Sequence, residues 1–203
     1  MASKATNIHT VFDRIISRGE KEKFLNQNSK VIWMTGLSGS GKTTIAVGVE
    51  QELNRRGYLT QILDGDNIRS GINNNLGFSE EDRSENIRRI AEVSKLFVNC
   101  GIITINCFVS PTNEIRKIAR DIIGEDDFLE VFVDTPFSVC EKRDVKGLYK
   151  KARNGEIKNF TGLDAPFEAP VNPYLVVKTE NLTVEEGVKQ VVEAILDQIE
   201  KKG

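Results

Sequence analysis

One eight-residue segment, Gly36-Leu37-Ser38-Gly39-Ser40-Gly41-Lys42-Thr43, constrains this chain more than any other feature. It matches the pattern G-x-x-x-x-G-K-[ST], and it lies between a predicted strand and a predicted helix, as that motif requires. Glycines let the loop turn its N–H groups inward around an anion, and the N-terminus of the following helix adds positive charge. The segment therefore predicts a loop that holds nucleotide phosphates. Lys42 is expected at the β- and γ-phosphates, and the Thr43 hydroxyl is expected as a Mg²⁺ ligand.

The pattern of apolar residues on either side of this loop indicates an α/β fold. Short apolar runs alternate with longer amphipathic ones, and such alternation is typical of a largely parallel sheet covered by helices on both faces. The predicted strands cover residues 31–35, 58–63, 102–109, 128–133 and 175–177. The predicted helices cover residues 7–28, 42–56, 79–100, 111–123 and 183 to the C-terminus. We expect a P-loop kinase-like three-layer α/β/α domain with a mostly parallel five-stranded sheet and a helical lid.

Charge and composition exclude several classes of protein. The 203 residues carry 28 Lys and Arg against 30 Asp and Glu, so the basic excess of a nucleic-acid binder is missing. No apolar run is long enough to cross a membrane. His9 is the single histidine, which excludes a histidine metal site and a Ser-His triad. Three cysteines without paired spacing are expected to be buried thiols in the cytoplasm.

One region interrupts the alternation of strands and helices. Residues 144–172 contain no predicted strand; cations crowd the first half and three prolines stiffen the second. A long insertion of this kind in a compact domain is usually functional or disordered, and its aromatic residues favour a lid. We therefore expect an N-terminal helical segment, residues 1–30, followed by a kinase domain, residues 31–203, with its lid at about 144–172.

A pair of aspartates, Asp64 and Asp66, ends the second predicted strand, where open α/β sheets hold ligands. If the segment is extended, both carboxylates point to one side. One carboxylate would then hold Mg²⁺ through water, and the other would accept a proton from a hydroxyl group. The alternative is an ordinary Asp-Gly turn that caps a helix.

A phosphate loop alone is compatible with four classes of protein: a kinase, a GTPase, an ATPase motor and a translocase. The guanine-reading pattern N-K-x-D is absent from the chain. Small size and the lid-like insertion favour a kinase that acts on a small molecule.

Several segments together resemble the adenylylsulfate (APS) kinase family. The resemblance extends over residues 31–181 and includes the phosphate loop with Thr44. The segments that carry it are Leu63-Asp64-Gly65-Asp66-Asn67-Ile68-Arg69, Asn75-Leu76-Gly77-Phe78-Ser79, Asp82-Arg83-Ser84-Glu85-Asn86-Ile87-Arg88-Arg89, Cys140-Glu141-Lys142-Arg143-Asp144-Val145-Lys146-Gly147-Leu148-Tyr149-Lys150-Lys151-Ala152-Arg153 and Lys158-Asn159-Phe160-Thr161-Gly162-Leu163-Asp164-Ala165-Pro166.

This resemblance implies that the chain transfers the γ-phosphoryl group of ATP to the ribose 3′-hydroxyl of APS, giving 3′-phospho-APS (PAPS) in sulfate assimilation. It implies ATP with Mg²⁺, APS as the acceptor, and a homodimer. Before residue 31 the resemblance weakens, since the Trp-His pair of many members has no counterpart around His9.

The resemblance also assigns roles to individual residues. Lys42 and Asp66 would be catalytic, with Asp66 near the accepting hydroxyl; Ser110 matches a serine that the family has sometimes been assigned as a phosphorylated intermediate. In-line transfer needs no covalent step, so Ser110 is only a possible site. The implied ATP-binding residues are Gly36, Gly39, Ser40, Gly41, Lys42, Thr43, Thr44 and Arg143. The implied substrate-binding residues are Arg69, Phe78, Arg83, Asn86, Val109, Ser110, Lys146, Asn159 and Phe160. The implied metal site comprises Thr43 and, through water, Asp64.

Two alternatives stay open at the level of sequence. One is a P-loop kinase for a different small molecule, such as a sugar or an antibiotic. The other is a nucleotide-binding module that has lost catalysis, although the presence of Lys42, Thr43, Asp64 and Asp66 speaks against it.

Overall fold

The structure, a computed structural model, describes residues 9–11 and 13–201. Its five strands form one sheet in the order β2-β3-β1-β4-β5, and each pairing between neighbours is parallel. The strands are β1 (Val31–Thr35), β2 (Thr60–Asp64), β3 (Ile103–Cys107), β4 (Phe128–Asp134) and β5 (Leu175–Lys178). All five lie within two residues of the predicted positions, which confirms the α/β prediction.

Eight helices connect and cover these strands within the described residues. They are α1 (Arg18–Leu25), α2 (Lys42–Arg55), α3 (Gly65–Arg69), α4 (Glu80–Asn99), α5 (Asn113–Ile123), α6 (Phe137–Arg143), α7 (Leu148–Arg153) and α8 (Val184–Ile199). The long helices α2, α4, α5 and α8 confirm the prediction. Sequence reasoning missed α3 and α6, because five and seven residues are too few to show a helical period, and it predicted a helical lid without giving bounds for α7.

The sheet separates two apolar layers, which makes the domain three-layered. On one face α2 and α8 pack over residues such as Ile32 and Val131; on the other face α4 and α5 surround Trp33. Strand β1 is buried along its whole length because it lies at the centre of the sheet with both faces covered. No helix of the described chain is both long and apolar enough to cross a membrane.

The N-terminal segment is less helical than predicted. Within the predicted helix 7–28, only Arg18–Leu25 is helical; residues 7, 8 and 12 lie outside the described residues. The helix begins at a capping box formed by Ser17 and Glu20, and it ends at Asn26, whose left-handed conformation (φ 53°) stops it. The prediction of helix at residues 9–11, 13–17 and 26–28 was therefore wrong, because local caps set the ends of this helix.

Candidate active site

The phosphate loop lies between β1 and α2 and depends on its glycines. Gly36 has φ +152°, and a Cβ atom there would come within 2.6 Å of the Val133 carbonyl oxygen. Gly39 has φ +77°, and a Cβ atom there would meet the Cys140 carbonyl oxygen at 2.9 Å. Both positions therefore exclude larger residues for two reasons, the backbone conformation and the approach of a neighbouring backbone.

Lys42 begins α2 and points back along the loop. Its Nζ donates hydrogen bonds to the carbonyl oxygens of Gly36 (2.9 Å) and Leu37 (2.8 Å). The side chain is 9% exposed, and burial lowers its pKa from 10.5 to about 8. The ammonium is thus desolvated at the place where the sequence predicts phosphate groups, and this desolvation strengthens its interaction with an incoming anion.

A cluster of polar residues outside the motif fixes the back of the loop. The Ser40 carbonyl oxygen accepts hydrogen bonds from Thr135 Oγ1 (3.0 Å) and Thr179 Oγ1 (2.9 Å), and Arg143 Nη1 lies 3.4 Å from it. Arg143 also donates to the Thr179 carbonyl oxygen at 3.0 Å. Sequence reasoning missed Thr135 and Thr179. The only available signal is their position, since each directly follows a strand of the sheet.

The two aspartates occupy different elements, which corrects one prediction. Asp64 ends β2, whereas Asp66 lies in the first turn of α3, so they do not project from one extended segment. Asp64 Oδ1 accepts the Asp66 N–H (3.0 Å) and caps α3, while its Oδ2 accepts the Thr43 hydroxyl at 2.8 Å. Asp64 is therefore both the helix cap of the alternative interpretation and a neighbour of the predicted metal ligand.

A single cavity of about 1520 Å³ joins the phosphate loop to the residues predicted to bind the acceptor. It includes both aspartates and almost every residue that the sequence predicted for the site. The predicted residues lining it are Gly39, Gly41, Lys42, Thr43, Thr44, Asp64, Asp66, Arg69, Phe78, Arg83, Asn86, Val109, Ser110, Arg143, Lys146, Asn159 and Phe160. Gly36 and Ser40, which the sequence also predicted for the site, do not line this cavity. The cavity also reaches Leu182, Thr183 and Val184 at the start of α8, which the sequence did not predict.

Two arginines and two aromatic rings line the cavity together with the phosphate loop. The Arg69 guanidinium lies 4.4 Å from the centre of the Phe78 ring, and that ring is 62% exposed. Arg83 donates to the Asn159 carbonyl oxygen (2.6 Å) and to Thr161 Oγ1 (2.8 Å), so it connects α4 to the lid. For both arginines, burial lowers the pKa, but a guanidinium stays charged at any working pH.

The lid reaches the cavity through the turn that precedes α7, through α7 itself and through the loop that follows it. Lys146 forms an ion pair with Asp66, and Phe160 makes an edge-to-face contact with Tyr149 at 4.9 Å between ring centres. Asn86 faces them from α4, where it is buried and accepts a hydrogen bond from Asn73 Nδ2 at 3.0 Å. The lid therefore places both a cation and an aromatic ring on the acceptor side.

Ser110 lies at the end of the β3 loop and is held on all sides. Its side chain is 2% exposed; its Oγ donates to Thr35 Oγ1 (3.0 Å) and accepts the Trp33 Nε1–H (3.1 Å). The neighbouring Val109 carbonyl oxygen accepts the Thr35 hydroxyl at 2.7 Å. Ser110 also has φ +37°, an uncommon conformation for this residue type. Among the residues that the structure describes, the hydroxyl forms hydrogen bonds only with Trp33, Thr35 and the Phe108 carbonyl oxygen, and none of these is a base that would make it a nucleophile.

Comparison with known proteins identifies the family of this chain. Residues 28–178 match the family model of adenylylsulphate kinase. The adenylyl-sulfate kinase of Bacteroides thetaiotaomicron is 64% identical over 196 residues, which is 97% of this chain and 98% of that protein. The adenylyl-sulfate kinase of Clostridium acetobutylicum is 56% identical over 178 residues, 88% of each chain.

A solved structure agrees with these sequence matches. The Mycobacterium tuberculosis APS kinase CysC, in complex with AMPPNP and APS, has a TM-score of 0.80 at 45% identity. That match covers 83% of this chain and 98% of the other. The chain described here belongs to the adenylylsulphate kinase family.

Proposed function

We propose that this protein is an ATP-dependent adenylylsulfate kinase that transfers the γ-phosphoryl group of ATP to the 3′-hydroxyl of APS. The observation that carries the proposal is the single cavity that the phosphate loop lines together with two arginines and two aromatic rings. Such a cavity suits two nucleotides placed end to end, one giving and one accepting a phosphoryl group. The product is PAPS, with ADP as the second product.

On the donor side, the phosphates of ATP occupy the loop from Gly36 to Thr44. Lys42 neutralises charge on the migrating phosphoryl group, and backbone N–H groups of the loop hold the β-phosphate. Arg143 and the start of α8 line the cavity beyond the loop, so we place the adenine of ATP there. The protein contributes position and charge rather than a covalent step.

Mg²⁺ fits the oxygen groups beside the loop. Thr43 offers a hydroxyl group and Asp64 a carboxylate, and these two oxygens lie 2.8 Å apart at the cavity wall. Mg²⁺ prefers oxygen ligands and keeps several waters, so one hydroxyl ligand with a carboxylate acting through water suits it. When bound, the ion neutralises the charge that develops on the β- and γ-phosphate oxygens. We assign Thr43 as the direct ligand and Asp64 as the partner through water.

On the acceptor side, Asp66 takes the proton of the ribose 3′-hydroxyl. In the structure Lys146 pairs with this carboxylate, and both side chains are more than half exposed. The phosphate and sulfate of APS compete for Lys146, Arg69 and Arg83, and their binding leaves Asp66 free to act as the base. Phe78 and Phe160 hold the adenine of APS. Ser110 supports Trp33 and Thr35 and takes no phosphoryl group.

The proposal is tested by measuring ADP release with a panel of acceptors. APS should give rapid turnover. AMP should give little, because it has the same ribose and phosphate but lacks the sulfate, and gluconate should match the rate without acceptor. The Lys42→Ala variant is the control for contaminating kinases. Equal rates with AMP and APS, or turnover only with a sugar acid, would contradict the assignment of the substrate.

We also propose that the protein forms a homodimer. Sedimentation velocity of the full chain gives the number of copies directly. A monomeric sedimentation coefficient at working concentration would contradict it.

A further inference from the structure

The side chain of Tyr149 contacts elements of both halves of the cavity. Tyr149 is the second residue of α7 in the lid, and it is 2% exposed. Its hydroxyl donates to the Ser38 carbonyl oxygen in the phosphate loop at 2.8 Å. Its ring meets Phe137 at 5.6 Å and Phe160 at 4.9 Å between ring centres, both edge to face. One side chain thus connects the donor loop with the proposed aromatic clasp.

This arrangement fixes the ring of Tyr149 more tightly than packing alone would. Edge-to-face contacts define the angle between the rings. The hydrogen bond of the hydroxyl, at the far end of the side chain, fixes how the ring is rotated and how deeply it is inserted. Burial raises the pKa of the phenol, so the hydroxyl stays a donor at any working pH. The backbone N–H of Tyr149 is held as well, by Asp144 Oδ1 at 3.0 Å.

Phe160 is held mainly through its backbone. Its N–H donates to Asp164 Oδ1, and Arg83 binds the carbonyl oxygen of the preceding residue, Asn159. The ring itself is half-buried, lines the cavity and rests on Tyr149. The position of the ring therefore depends on Tyr149, and the position of Tyr149 depends on the phosphate loop.

We propose that Tyr149 is a positioning residue for the acceptor: its hydrogen bond to the phosphate loop sets the position of Phe160 and thereby the affinity for APS. The inference rests on the proposed function, since it takes Phe160 as part of the APS site. It adds a physical connection between the loop that holds the donor and the ring that holds the acceptor.

The test compares two tyrosines whose hydroxyls each donate to a main-chain carbonyl oxygen, one buried beside the cavity and one exposed away from it. Tyr149→Phe removes one hydroxyl that donates to a main-chain carbonyl. Tyr174→Phe is the matched control, because Tyr174 donates to the Ala194 carbonyl oxygen at 2.7 Å and does not line the cavity. APS affinity is measured by calorimetry with saturating ADP, and ADP affinity is measured alone. Phe160→Leu and the double variant Tyr149→Phe/Phe160→Leu complete a double-mutant cycle.

We expect Tyr149→Phe to weaken APS binding about three- to tenfold, the range for losing one hydrogen bond that couples two sites. ADP affinity should stay within about twofold, and Tyr174→Phe should match the wild type, as expected for a substitution away from the site. In the Phe160→Leu background, Tyr149→Phe should have no further effect on APS affinity.

Three results would overturn the inference: APS affinity of Tyr149→Phe equal to that of Tyr174→Phe, additive effects of Tyr149→Phe and Phe160→Leu, or an equal loss of ADP affinity. Failure of the proposed function looks different. In that case the wild-type protein itself neither binds nor phosphorylates APS.

Discussion

At the scale of single residues, the protonation state of Lys42 is central to the proposed phosphate site. Its Nζ bonds to carbonyl oxygens of the loop, and burial holds its pKa at about 8. Loss of the proton with rising pH therefore begins well below the usual range for lysine. Bound phosphates favour the ammonium form, so nucleotide binding raises this pKa and takes up a proton.

We therefore predict that ADP affinity falls as the pH rises from about 8 to about 9.5, approaching a tenfold loss per pH unit. The direction follows because only the ammonium form attracts the phosphates. Calorimetry in buffers of different ionisation enthalpy measures both the affinity and the proton uptake. A constant affinity across this range, with no proton taken up, would show that Lys42 stays fully charged in the free protein.

The two aspartates give a second prediction at this scale. Asp66→Asn should keep ATP affinity and lower transfer by about 10²- to 10⁴-fold, the range for losing a positioned base. Asp64→Asn should instead raise the Mg²⁺ concentration needed for half-maximal rate, because its carboxylate neighbours Thr43. Rates measured across a Mg²⁺ titration separate the role of Asp66 as a base from the role of Asp64 at the metal site. If Asp64→Asn abolished transfer at saturating Mg²⁺ while Asp66→Asn had no effect, the roles would be reversed.

At the scale of elements, the proposed APS site depends on the lid. Helix α7 and its following loop place Phe160 in the cavity, whereas Phe167 stacks on Phe132 at 6.0 Å between ring centres and does not line the cavity. The lid thus has one aromatic residue that faces the proposed substrate and another that anchors it to β4. The two positions allow a matched comparison.

We predict that Phe160→Ala weakens APS binding about ten- to a hundredfold, as loss of stacking on one base implies. ATP affinity should change much less, because the phosphate loop holds that nucleotide. Phe167→Ala is the control. Its main effect should be a lower melting temperature, with little change in APS affinity. APS titrations with ADP present, run beside thermal unfolding, make the comparison. A large drop in melting temperature for Phe160→Ala with unchanged APS affinity would mean that the ring only packs within the lid.

At the scale of the whole molecule, the sheet order explains the position of the site. Strand β1 lies between β3 and β4, so the phosphate loop emerges between the carboxyl ends of both neighbours. Asp64 and Val109 approach it from one side, Thr135 and Thr179 from the other. The crevice outside the carboxyl ends of the strands is where open α/β sheets bind ligands.

The sequence alone predicted what depends on local pattern. The phosphate loop, the five strands and the pair Asp64 and Asp66 follow from motif, period and position at a strand end. The turn into α3 could not be predicted in this way, because Asp64 caps a helix that is too short to show in the sequence pattern. The sequence also did not predict the hydrogen bonds from Thr135 and Thr179 to the Ser40 carbonyl oxygen, or the contact of Tyr149 with Phe160. In both cases the residues are close only in the folded chain.

The central claim is that one cavity brings the γ-phosphate of ATP to the ribose 3′-hydroxyl of APS. Phosphorus NMR of the wild-type protein with ATP, Mg²⁺ and APS tests it most directly, because the spectrum distinguishes a new phosphomonoester on the ribose from free phosphate. The account predicts one new phosphomonoester, coupled to the ribose 3′ proton and formed in equal amount with ADP. ADP accompanied only by inorganic phosphate, or a phosphoryl group on any other oxygen of APS, would contradict it.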